Sequence, residues 1–88
     1  MLNIELNYKS CTVIKLKNFN VKITRQEVGG ESIPLTIISQ MRNIAEKYKE
    51  LQVFEVNDFI KEIKEKIGNV VCIELINPSN GNSIIIDL

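Results

Sequence analysis

Histidine and tryptophan are absent from this chain of 88 residues, and cysteine, methionine and proline occur only twice each. Without histidine the commonest general acid/base and the commonest metal ligand are missing. A zinc site would have to combine cysteine with carboxylates, an uncommon donor set. Cys11 and Cys72 stand far apart in strand-like surroundings, and neither belongs to a CxxC or other ligand-spaced motif. They read as reduced, packed thiols, because activating either as a nucleophile would fall to a lysine or a helix N-terminus that strand surroundings do not offer. No metal, no cofactor and no catalysis are therefore expected.

Glycine is scarce too. Gly29-Gly30 sits between a strand-like and a helix-like stretch, where backbone amides can cradle an anion. The spacing matches neither GxxxxGK[ST] nor GxGxxG, and Glu31 would repel a phosphate, so the pair reads as a flexible connection. Long apolar runs are also lacking. The first residues alternate polar with apolar instead of forming a signal-peptide core, and no run approaches the roughly 18 apolar residues of a membrane span. The expected compartment is the cytoplasm, away from membranes.

What is present is aliphatic and β-branched. Fifteen isoleucines against five aromatics imply a core of branched side chains, and 44% apolar residues is the proportion of a globular domain, not a disordered one. Isoleucine, asparagine and lysine together supply 34 residues, a bias that fits a low-GC coding genome, including those of plasmids and phages. The length suits one domain spanning residues 1–88.

Periodicity then places the elements. Leu2, Ile4, Leu6 and Tyr8 alternate with polar residues, Thr12 to Lys17 sets Ile14 and Leu16 against Val13, Lys15 and Lys17, and Val21 to Arg25 resumes the alternation after a turn at Asn18-Phe19-Asn20. Period two means strands with one buried face, so two or three antiparallel strands are expected. Ile37, Met41, Ile44, Tyr48 and Leu51 fall within an arc of about 80° on a helix, which predicts a helix over 34–50 with Ser32 as N-cap and Pro34 in its first turn. After a link at 51–56, Asn57 is placed to cap a second helix with Phe59, Ile60, Ile63 and Ile67 on one face and Gly68 just past its end. Val70 to Ile76 and Ser83 to Leu88 flank Pro78-Ser79-Asn80-Gly81, a hairpin signal. The expected fold is α+β: a mainly antiparallel sheet of four to six strands with two helices on one face, in the order β-β-β-α-α-β-β. The long strand-rich portion and the apolar, strand-prone link between the helices do not fit a ribbon-helix-helix or helix-turn-helix protein.

Charge supplies the functional expectation. The chain is formally neutral, but residues 1–25 carry five basic side chains against one acidic, a net of +4, and residues 26–88 carry six basic against ten acidic, a net of −4. Lys9, Lys15, Lys17, Lys22 and Arg25 are thus candidate partner-binding residues. With Tyr8 or Phe19 alongside they would supply the ingredients of a nucleic-acid platform, whereas on solvated edge strands they would serve only to discourage aggregation. Five cations in a protein of pI about 6.2 are few for a nucleic-acid binder. The C-terminal hairpin is apolar on both sides, with Val71, Ile73 and Leu75 against Val70, Cys72 and Ile76, so Val70, Cys72, Ile76 and Ile85 are candidates for a homo-oligomer interface. The expectation is a small non-catalytic interaction protein with a protein partner, one form of which is an accessory or inhibitory protein of a mobile genetic element. A nucleic-acid-binding module using the basic strands is the alternative.

Overall fold

The computed structural model describes residues 7–28 and 34–87. They form β1 (Asn7–Lys15), β2 (Asn20–Val28), α1 (Leu35–Lys47), α2 (Asn57–Lys66), β3 (Val70–Ile76) and β4 (Ser83–Asp87), with a single 3₁₀ turn at Val53–Glu55 between the helices. The sheet is antiparallel throughout, in the order β1-β2-β3-β4. The fold is α+β with four strands and two helices in the described residues, and the element order is β-β-α-α-β-β. The stretch ending near Tyr8 and the stretch from Thr12, expected as separate strands, are continuous: Ser10 and Cys11 carry the ladder between them opposite Arg25 and Thr24, making β1 one nine-residue strand. The alternation read over Leu2 to Leu6 and the Gly29-Gly30 connection lie outside the described residues; α1 begins at Leu35, with Pro34 and not Ser32 in the N-cap position and no side-chain cap there.

β1 and β2 bury one side of each pleat, with Ile14, Val21 and Ile23 facing the helices. The turn between them closes through Leu16 N–H to Phe19 O, and buries both Leu16 and Phe19. That turn is tied to the end of α1: Lys17 N–H donates to Lys49 O, and the Asn18 side-chain amide donates to Glu50 O and Leu51 O. α1 stops at Lys47 and not at 50: after Tyr48 N–H to Ile44 O the chain tightens into a turn closed by Leu51 N–H to Tyr48 O, and the free carbonyls beyond the helix end are the ones the β1–β2 turn takes up.

The apolar stripe of α1 does what its spacing predicts. Met41 and Ile44 are buried, and Ile37, Tyr48 and Leu51 pack against the core. In α2 the buried stripe is Phe59 and Ile63, continued by Ile67 just past the helix end. Asn57 lies inside α2, whose first turn has no side-chain cap. Beyond Ile67, the residue in the left-handed region is Asn69, with φ of 61°, and not Gly68; asparagine tolerates that conformation better than most residues. The 51–56 link is a 3₁₀ turn instead of an extended piece, leaving Phe54 78% exposed.

β3 supplies Ile73 and Leu75 to the core, in register with Ile23 and Val21. The β2–β3 ladder then shifts register between Thr24 and Arg25, so that Val70 pairs with Arg25 while Cys72 pairs with Thr24. One extra residue reverses the side-chain phase. The loop to β4 is held by Asn77 N–H to Asn82 O and by two side-chain turns, Asn77 Oδ1 to Ser79 N–H and Asn80 Oδ1 to Asn82 N–H, with Gly81 at a φ of 74°.

Candidate interaction surface

Both helices lie on one side of the sheet, and among the described residues no element crosses the other side. Strand register arranges that open face in rows. Lys15, Asn20, Ile76 and Ser83 form one; Val13, Lys22, Glu74 and Ile85 the next; Cys11, Thr24, Cys72 and Asp87 a third; Lys9 and Gln26 begin a fourth. Val13 is 50% exposed and Ile85 61%. Charge follows strand position: β1 and β2 contribute Lys9, Lys15 and Lys22, while β3 and β4 contribute Glu74 and Asp87. Neighbouring strands stand about 4.8 Å apart, so the face runs from basic to acidic over roughly 14 Å. Lys22 and Glu74 meet directly across the β2–β3 pair, where opposite charges are favourable. Glu74 and Asp87 share this face diagonally and not as opposed partners, since Glu74 pairs with Ile85 and Asp87 with Cys72.

The five candidate cations separate. Lys9 and Lys15 are exposed on the open face and Lys22 is half-buried there. Lys17 lies in the β1–β2 turn, its Nζ 3.5 Å from Glu50 Oε1 in an exposed pair of little energetic weight. Arg25 has to be removed from the surface set. It is 4% exposed on the helix side, where Nε donates to Gly68 O at 2.8 Å and Nη1 to Glu27 Oε1 at 2.6 Å. The Ser10 hydroxyl donates to the same Glu27 oxygen at 2.8 Å. Its strand phase was the available signal: Arg25 follows Val21 and Ile23 at intervals of two, and grouping it by charge alone hid that.

The proposed oligomer residues separate as well. Cys72, Ile76 and Ile85 lie on the open face, but the bulge turns Val70 to the helix side, where it packs against the core. Val13, Thr24, Glu74 and Asp87 share the face as well and carry none of the sequence signals that singled out the others. The aromatic rings invoked for nucleic acid are elsewhere, since Phe19 is buried in the turn and Tyr8 shares the strand phase of Ile14.

Cys11 and Cys72 occupy one row with Thr24 between them, and Cys11 Sγ lies 3.7 Å from Thr24 Oγ1. Two strand spacings, roughly 9.5 Å, exceed the reach of a disulfide. Burial pushes the Cys72 thiol up, and the Asp87 and Glu74 carboxylates push it further, so at neutral pH it is a protonated thiol and a poor nucleophile. Among the described residues no group of three or more Cys, Asp or Glu could hold a metal ion, and no helix is long and apolar enough to cross a membrane.

Comparison with protein-family models, curated proteins and solved structures found no match.

Proposed function

We propose that this chain is a small non-catalytic interaction protein that binds a protein partner through the open face of its sheet. The observation that carries the reading is a face that no helix of the described residues covers, whose charge runs from basic on β1 to acidic on β4, with exposed Val13 and Ile85 in the row that also holds Lys22 and Glu74. Apolar contacts flanked by charges of both signs suit a protein surface of reciprocal polarity, which steers association and fixes orientation. A polyanion suits it less well. Glu74 and Asp87 would repel phosphates, and among the described residues no aromatic ring is placed on this face to stack a base.

The test is capture from lysate, with and without nuclease, by wild type and by the double variant Lys9→Glu/Lys15→Glu. Lys22 is left intact because reversing it would set two carboxylates opposite each other. The double variant should stay folded and bind its partner at least about tenfold more weakly at low salt, with the difference shrinking as salt rises. Lys17→Glu, in the turn, should change binding little. Loss of all capture after nuclease treatment would favour nucleic acid, and equal capture by wild type and double variant would refute the role of this face.

A further inference from the structure

β4 is an exposed strand at one edge of the sheet. It ends the sheet, and among the described residues no segment pairs with its outer edge. An outer edge presents alternate backbone N–H and C=O groups ready to pair with another chain, and proteins that remain monomeric blunt such edges with lysine, proline or bulges. β1 carries Lys9 and Lys15 in this role, whereas β4 reads Ser83-Ile84-Ile85-Ile86-Asp87, with its one charge at the last residue, no lysine or proline and no register shift against β3. Its isoleucines are exposed on both sides of the sheet. Ile84 is 57% exposed on the helix side, beyond the cover of α2, and Ile85 is 61% exposed on the open face.

We propose that β4 pairs antiparallel with β4 of a second copy of this chain, joining two sheets into one of eight strands. The strand is self-complementary in one register. With Ile85 centred on the two-fold axis it faces Ile85 of the other copy, Ile84 faces Ile86, and Asp87 faces Ser83 and not another Asp87. This register therefore opposes no like charges, gives Asp87 a hydroxyl partner and covers the isoleucines of both faces. It also leaves both helical layers on the same side, because directly opposed residues in an antiparallel pair point the same way. Centring one residue later would instead set Asp87 against Ile85. The paired assembly has a continuous open face with Glu74 and Asp87 near its middle and Lys9 and Lys15 at its two ends.

This pairing is independent of the partner-binding reading, and its test uses purified protein alone. Wild type should sediment as a monomer–dimer equilibrium. A strict monomer at about 0.5 mM overturns the proposal, because that concentration reveals even weak millimolar-range pairing. Ile85→Lys would place two ammonium groups opposite each other at the axis, and should raise the dimer dissociation constant at least about tenfold while leaving the circular dichroism spectrum and melting midpoint close to wild type. Ile85→Cys in a Cys11→Ser/Cys72→Ser background should form a disulfide-linked dimer under mild oxidation, since opposed antiparallel residues lie about 4.5 to 5.5 Å apart and Cys72, diagonal to Ile85 on the same face, is no longer there to compete. If the Ile85→Lys variant does not fold, this cross-link decides, and failure of that cysteine variant to cross-link overturns the pairing. Growth beyond the dimer would indicate β1-to-β4 head-to-tail stacking and also overturn it. Lys9→Glu/Lys15→Glu should dimerise as wild type does, which separates this edge from the face proposed to bind a partner.

Discussion

The Arg25 guanidinium is buried with its charge, which is tolerable only where its donors and its counter-charge are satisfied. Glu27 Oε1 serves both Arg25 and the Ser10 hydroxyl, and Gly68 O takes the Nε donor. Three segments far apart in sequence therefore meet at one carboxylate and one guanidinium: the start of β1, the end of β2 and the turn after α2. Removing one partner should cost much more than removing both. Glu27→Ala is expected to lose about 3 to 5 kcal/mol in urea unfolding, whereas the apolar pair Arg25→Met/Glu27→Leu should be close to neutral. A single-variant loss below about 1 kcal/mol would mean that Arg25 swings out to solvent when unpaired.

Between elements, the two helices are joined by side chains as well as by core packing. The Tyr48 and Phe59 rings meet edge to face with centroids 5.2 Å apart, and Lys47 Nζ reaches Glu62 Oε1 and Oε2 at 3.0 and 3.1 Å. Lys66, one turn further along α2, lies 3.5 Å from the same carboxylate. A hydrogen bond from the Tyr48 hydroxyl, followed by Lys47, holds the Glu62 carboxyl below the usual carboxylate range, and Glu62 in turn raises Lys47 and Tyr48. A carboxylate lowered on folding contributes stability above its unfolded pKa and loses it as pH falls through the folded value. Wild type should thus lose its Glu62 contribution progressively below about pH 4.5, and Glu62→Gln should remove that part of the acid slope. Raised Lys47 and Tyr48 act oppositely: their contribution is present below their unfolded values and is lost as pH rises through the folded ones. Urea midpoints measured across pH would check the acid limb, and identical slopes for wild type and variant would exclude the link.

At the scale of the molecule there is one core among the described residues, set between the helical layer and a single side of the sheet. Phe59, Ile63 and Ile67 are its contribution from α2 and the residue after it, each at most 1% exposed. A domain of this size is stable by only about 5 to 10 kcal/mol. Ile63→Ala, which deletes three buried carbons, should therefore cost roughly 2 to 5 kcal/mol and lower the whole unfolding transition instead of loosening α2 alone. Separate transitions for sheet and helices, followed by near- and far-ultraviolet circular dichroism, would contradict a single cooperative core.

Much of this was determined by sequence alone, because the phase of a strand or helix is a local property. Alternation assigned Ile14, Val21, Ile23, Ile73 and Leu75 to burial, and helical spacing did the same for Met41, Ile44, Phe59 and Ile63. Asn80-Gly81 marked the final hairpin, and the structure places Gly81 where a positive φ is needed. Tertiary structure decided what depends on partners distant in the chain. The bulge opposite Arg25 sends Val70 to the core, the β1–β2 turn docks on the free carbonyls that follow α1, and Glu27 and Gly68 hold a guanidinium that charge alone assigned to the surface. The polarity of the open face belongs to the same class. Lys22 and Glu74 are 52 positions apart in sequence, and only pairing of the N-terminal and C-terminal hairpins through β2 and β3 brings them side by side.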